Sequence, residues 1–184
     1  SRIMLSKPNF FLEKIPFDQI WLKQDEWYQK NNISLIAGQK ATALDTAEKT
    51  VTLDDGTAIT YDKLLLATGS CVRTWDIPCA DKQNIFYLRT LDDAKQIIAK
   101  VKSSKRAVVV GVGFVGFEMC DMLRLADIDV TLILREPHFW DPLLDQYSGA
   151  LIEAALERGG VKILHNSLVK EVVGGDVAQG VTLH

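Results

Sequence analysis

The sequence predicts an α/β chain, with a parallel sheet and flanking helices in its second half joined to a small antiparallel meander in its first. Three observations carry that expectation. Residues 33–68 break into short β-branched segments, with Asp54-Asp55-Gly56 as a turn between two of them. Apolar strand-like runs then alternate with segments of helical periodicity between Leu91 and Leu164. The first of those runs ends in a glycine-rich turn that opens a helical segment.

Asp18 to Asn32 places Ile20, Trp21, Leu22, Trp27 and Tyr28 among charges, between an Asp suited to cap a helix and an Asn pair suited to stop one, so a helix is expected there. Ile33 to Ala37, Lys40 to Thr46, Lys49 to Thr60 and Lys63 to Thr68 read as strand segments. The last holds a fully apolar strand, Leu64 to Thr68, broken at Gly69. Ser70 to Asn84, with Pro78 and few periodic apolar residues, reads as a linker. Leu91, Ala94, Ile97, Ile98 and Val101 predict a helix over 91–101. Strand Ala107–Val110, helix Phe114–Leu125, strand Val130–Leu134, helix Leu144–Arg158 and strand Val161–Leu164 follow. Strands this apolar are expected to form a parallel sheet covered on both faces. Ser167–Val173 and Val177–His184 complete the pattern as a hairpin around Gly174-Gly175-Asp176.

Composition narrows the function. The 184 residues carry 21 Lys and Arg against 24 Asp and Glu, a net charge of −3, with 47% hydrophobic and 24% charged residues. That balance argues against a partner bound mainly through its phosphate backbone, and the basic run Lys100 to Arg106 reads as a solvated connector leading into a strand. No charge-free stretch approaches the roughly 20 apolar residues that span a bilayer, and a cytoplasmic protein is expected. Cys71, Cys79 and Cys120 have no C-x-x-C spacing, and His138, His165 and His184 are scattered and read as surface residues, so neither a disulfide framework nor a metal site is expected. The opening Ser-Arg-Ile-Met-Leu-Ser-Lys reads as the interior of a longer protein.

The most specific signal is Val108-Val109-Val110-Gly111-Val112-Gly113-Phe114-Val115-Gly116, a G-x-G-x-x-G turn after an apolar strand, at the head of a helix, with a second strand at the βαβ distance. Gly111 permits the tight turn, Gly113 lets the backbone approach a pyrophosphate, and Gly116 lets the helix pack closely on the strand. The free N–H groups at the helix start then face the negative charge. An acidic residue about 20 positions beyond the first glycine would hold the adenosine ribose of NAD. Here the strand end reads Leu134-Arg135-Glu136. Arg135 suits the 2′-phosphate of NADPH, whereas Glu136 keeps NADH open.

Several segments together resemble the FAD-dependent pyridine nucleotide-disulfide oxidoreductase superfamily. They are Arg2 to Lys7, then Tyr61 to Ser70 with Arg73, then Leu88 to Ala94, then the glycine loop ending Gly116-Phe117-Glu118. The nearest branch by this resemblance holds the ferredoxin and rubredoxin reductases, nitrite-reductase-type NADH oxidoreductases and apoptosis-inducing factor. The resemblance implies a Rossmann-like NAD(P)-binding domain over 92–184, lacking its C-terminal part, a partial FAD-binding domain over 1–74, and a linker over 75–91.

By the same resemblance, Ala67, Thr68 and Gly69 form a crossover turn against FAD with Arg73 near it, and Arg2, Ser6 and Lys7 lie at the cofactor. Lys7 resembles the lysine whose ammonium stands near flavin N5, and Glu118 the glutamate that pairs with it. Phe114 resembles the aromatic lying over the flavin where nicotinamide must stack. Gly111, Val112, Gly113, Phe114, Val115, Gly116 and Arg135 would hold NAD(P)H. The family linker reads Ile-Pro-Gly, but here it is Ile77-Pro78-Cys79, which leaves the conformation of that turn open.

The function implied is hydride transfer from NAD(P)H to FAD, with electrons passed to an external acceptor such as ferredoxin, rubredoxin, oxygen or a partner subunit. A homodimer is also compatible with the resemblance. Other readings are a nucleotide-binding module without turnover, or a disulfide reductase whose redox cysteines lie upstream of Ser1. The family's opening FAD loop is expected before Ser1 and its closing Gly-Asp segment after His184. The chain alone is therefore expected to hold FAD weakly or not at all.

Overall fold

The computed structural model describes residues 11–14, 16, 19 and 21–184. By their contacts they separate into two units, Lys23–Cys71 and a larger one comprising Val72–His184 with the described residues from Phe11 to Leu22. The smaller unit opens with helix α1, Asp25–Lys30, followed by β1 (Ala41–Asp45), β2 (Thr50–Leu53) and β3 (Ala58–Thr60). These strands form an antiparallel meander in the order β1-β2-β3.

The turn between β2 and β3 is the one the sequence marks. Gly56 takes φ +86°, and the Asp55 carboxylate accepts the Thr57 N–H at 2.8 Å, closing an Asx turn. The expected helix over Asp18–Asn32 is shorter. It begins after Gln24, which makes no side-chain cap bond, and stops at Asn31, while Asp18 and Ile20 lie outside the described residues. Its apolar positions are too few to bury a face, and α1 has no buried residue.

Two expected strands are absent among the described residues. Residues 33–37 and 64–68 make no ladder, and Leu65 stays 86% exposed. Apolar composition alone does not make a strand. Its backbone groups need a neighbouring strand, and none pairs with either segment among the described residues.

The larger unit carries α2 (Leu91–Val101), β4 (Arg106–Val110), α3 (Phe114–Leu125), β5 (Asp129–Ile133), α4 (Gln146–Arg158), β6 (Val161–Leu164), β7 (Val169–Val173) and β8 (Gly180–Leu183). Strands β4, β5 and β6 are parallel, with β5 central, and β7 and β8 form the expected antiparallel hairpin. Successive strands are added in one direction, so the right-handed crossovers place α3 and α4 on the same face. There Ala94, Ile97 and Ile98 of α2, Met119, Cys120, Met122 and Leu123 of α3, Leu156 of α4, and Val130 and Leu132 of β5 make one core, joined by Phe11.

Among the described residues the expected cover on both faces is incomplete at β4. Val108 and Val110, on its other face, are 45% and 42% exposed. Residues 72–84 contain no helix or strand, but they are strapped to the hairpin. The Lys82 ammonium donates to the Gly175 carbonyl at 2.6 Å, and Gln83 bridges Val177.

Candidate dinucleotide-binding site

The C-terminal ends of β4 and β5 and the start of α3 converge on the glycine loop. Gly111 takes φ +107°, a backbone conformation glycine adopts freely, and its N–H donates to the Ile133 carbonyl at 3.2 Å, fixing the turn to β5. At Gly116 an added Cβ would stand 2.5 Å from the Gly111 carbonyl oxygen and 3.7 Å from Val109, so the helix start packs where a side chain cannot go. Gly113 is the opposite case. Its φ of −72° suits any residue, and a Cβ there would meet nothing within 4 Å. The space above Gly113 is open, and the missing side chain leaves it so.

The helix starts sharpen the contrast. Helix α2 closes its own N-terminus with a capping box, in which the Thr90 side chain accepts the Asp93 N–H and the Asp93 carboxylate accepts the Thr90 N–H. Helix α4 is capped by Asp145, which accepts the Ser148 N–H at 2.7 Å. Helix α3 has Gly113 at its cap, no side-chain cap bond, and no acidic residue in its first turn. Its first intrahelical amide is that of Phe117, bonded to Gly113, so the amides of Phe114, Val115 and Gly116 precede the helical ladder. Amide donors, the positive end of the helix dipole and an open space above a glycine fit a pyrophosphate.

Phe114 projects 69% exposed from the loop and packs on Trp140 with ring centroids 4.6 Å apart. Trp140 in turn meets the fully buried Phe139, and Phe139 meets Phe117, so an aromatic chain ties the loop after β5 to the start of α3. At the end of β5, Leu134 is fully buried. Arg135 is 77% exposed, and its Nε donates to the Glu136 carboxylate at 2.7 Å. That contact and the adjacent charge push the Arg135 guanidinium further above its already high range.

The other expected site residues fall differently. Glu118 is exposed on α3. Arg2, Ser6 and Lys7 lie outside the described residues, so the Lys7–Glu118 pair does too. Ala67, Thr68 and Gly69 are exposed, with Gly69 at φ +76°, as is Arg73. Cys79 takes φ +62°, so the turn keeps a left-handed backbone although a cysteine replaces the glycine. Burial pushes the Cys120 thiol up to about 12, which makes it an inert core residue.

Two of the three histidines correct the sequence reading, while His184 is exposed as expected. His138 and His165 are half-buried, His138 lying 3.3 Å from Asp141 and His165 3.7 Å from Glu153. Sequence reasoning also missed Glu153 and Trp140, because neither belongs to a motif and each gains its meaning from a partner distant in the chain. A cavity of about 650 Å³ lies at the opposite end of the sheet, lined by Arg106, Asp129 and Lys162 at the starts of the strands. Parallel sheets place their ligands at the strand C-termini, which is where the glycine loop stands.

Known proteins are similar along most or all of the chain. A nitrite reductase [NAD(P)H] of Bacillus subtilis (strain 168) is 34% identical over 98% of the chain and 22% of the relative. An NADH-rubredoxin oxidoreductase of Clostridium acetobutylicum is 35% identical over 84% of the chain and 40% of the relative. The crystal structure of the ferredoxin reductase for the CYP199A2 system from Rhodopseudomonas palustris superposes with a TM-score of 0.88 at 27% identity, covering all of this chain and 45% of that one. The chain thus spans between about a fifth and two fifths of the curated relatives' length. With residues 4–184 matching the family model for pyridine nucleotide-disulphide oxidoreductases, the chain belongs to that family.

Proposed function

We propose that this chain is the dinucleotide-binding part of an FAD-dependent NAD(P)H oxidoreductase that delivers electrons to an external acceptor. The observation that carries the reading is the uncapped start of α3 beneath an open glycine, whereas the other two long helices among the described residues are capped by side chains. The amides of Phe114, Val115 and Gly116 bind the pyrophosphate, Gly113 leaves room for it, and Gly111 sets the turn.

Arg135 faces the 2′ position and favours NADPH. Among the described residues its terminal amino groups make no hydrogen bond, the Glu136 contact using Nε. Glu136 is the acid that NADH would use. Phe114, braced by Trp140, borders the path of the nicotinamide. Glu118 pairs with Lys7 and holds that ammonium at the flavin, while Ala67, Thr68, Gly69, Arg73, Arg2 and Ser6 line the flavin side. On this reading residues 1–74 are part of the FAD-binding domain and 92–184 most of the NAD(P)-binding domain. Bound flavin supplies the centre that accepts hydride and releases electrons.

The acceptor is a small redox protein such as ferredoxin or rubredoxin, or a partner subunit. Support comes from relatives named for reducing ferredoxin and rubredoxin. Among the described residues no helix is long and apolar enough to cross a membrane, and a cytoplasmic location completes the reading.

Gly113→Asp tests it, because the two roles of that position give opposite signs. An Asp in place of Gly at the helix cap stabilises α3 by roughly a few tenths of a kcal/mol, and its side chain enters open space. The same carboxylate takes the amides meant for the pyrophosphate and repels it. The variant is expected to melt higher than wild type and to lose NADH and NADPH binding by calorimetric titration. Binding that survives the substitution would remove the pyrophosphate from this helix start.

A further inference from the structure

The loop from Arg135 to Asp145 joins β5 to α4 and carries two features of the proposed site, the Arg135–Glu136 pair at its start and Trp140 against Phe114. Most bonds that shape its middle are internal. The Leu144 N–H donates to the Trp140 carbonyl at 2.9 Å, and His138 lies 3.3 Å from Asp141. Its start is tied by backbone alone, with the Ser167 N–H donating to Leu134 at 2.8 Å and the Asn166 N–H to Glu136 at 3.3 Å.

One side chain from another element reaches the loop backbone among the described residues. Glu153, midway along α4, is 14% exposed, and its Oε1 accepts the Phe139 N–H at 2.6 Å. The same oxygen lies 3.7 Å from His165 Nδ1, a fully buried atom with no hydrogen-bond partner among the described residues. The carboxylate therefore sits in a largely dry place, where a bond to an ionised acceptor is stronger than one in water.

We propose that Glu153 is a positioning residue for nucleotide selection. By fixing Phe139 it fixes the residues on either side, Arg135 and Glu136 before it and Trp140 after it, so that one arrangement of the loop meets the adenosine end of the dinucleotide. The core of α4 does not depend on this bond, since Leu156 and Ile152 hold the helix to the sheet. The inference rests on the reading of the glycine loop as a dinucleotide site.

Equilibrium titration of the intact protein with NADH and with NADPH, well below the melting transition, tests it in wild type, E153Q and E153A. Gln keeps an oxygen for the Phe139 N–H, so E153Q is expected within about twofold of wild type for both nucleotides. In E153A the preferred nucleotide loses more affinity than the other, moving the ratio of their dissociation constants by roughly three- to tenfold. A merely structural role weakens both equally, and an unchanged ratio in E153A overturns the inference, as does an E153Q that behaves like E153A.

If E153A does not fold, E153D replaces it. The shorter side chain keeps the charge but withdraws the oxygen from Phe139, and the same change of ratio is expected. An unchanged ratio there is equally fatal. A wild type that binds neither nucleotide overturns the dinucleotide reading and this inference together, whereas a wild type that binds while the ratio stays fixed in the variants overturns this inference alone.

Discussion

Arg135 and Glu136 stand side by side at the end of β5, and their pairing changes what each offers a nucleotide. The Glu136 carboxylate is only 16% exposed and already engaged by Arg135, so a ribose 2′-hydroxyl would have to compete for it. The guanidinium stands in solvent, where a phosphate can add a charge-assisted contact. Arg135→Ala is therefore expected to weaken NADPH by about tenfold or more while leaving NADH nearly unchanged, measured by titration. Equal effects on the two would place Arg135 away from the 2′ position. The turn at Gly111 and the close packing at Gly116 were legible in the sequence, because each follows from a missing Cβ. Glu153 was not, because a carboxylate fourteen positions from the amide it holds leaves no periodic trace.

At the scale of elements, helix α2 carries its own start signal, and the sequence located it. Helix α2 begins at a Thr90 cap with Asp93 three residues on, and its bounds match its apolar period. Thr90→Ala is expected to cost about 1 kcal/mol in urea unfolding at neutral pH. The Asp93 carboxylate is held below its ordinary range first by the Thr90 N–H, with burial opposing, and Asp145 is lowered chiefly by the Ser148 N–H. The sign follows from proton uptake. An unfolded chain binds protons at these carboxylates at higher pH than the folded one, so their contribution is full above about pH 4 and fades as pH falls through the lowered folded values. Unfolding of Asp93→Asn against wild type should show a stability gap that narrows between neutral pH and about pH 3. A gap constant with pH would remove the carboxylate's charge from the cap.

The shortened α1 and the unpaired segments 33–37 and 64–68 failed for a different reason. Their apolar residues describe surfaces meant to be covered, and coverage is a property of neighbours.

In the molecule as a whole, topology decides what pattern cannot. Strand composition announced a parallel sheet, but the order β4-β5-β6 puts both crossover helices on one face and leaves Val108 and Val110 on the other partly in solvent. The same order gives the two halves of the proposed site unequal supports. Among the described residues the glycine loop hangs from β4, which pairs with β5, while Leu134 and Arg135 continue the central strand, bonded on both sides. Amide hydrogen exchange should record the difference. Amides of β5 at Val130 and Leu132 are expected among the slowest in the chain, and those of β4 pointing away from β5 should exchange by local opening. Uniformly slow exchange along β4 would contradict this. Among the described residues, then, the pyrophosphate would be held by a turn with one paired strand behind it, and the adenosine end by a turn with two.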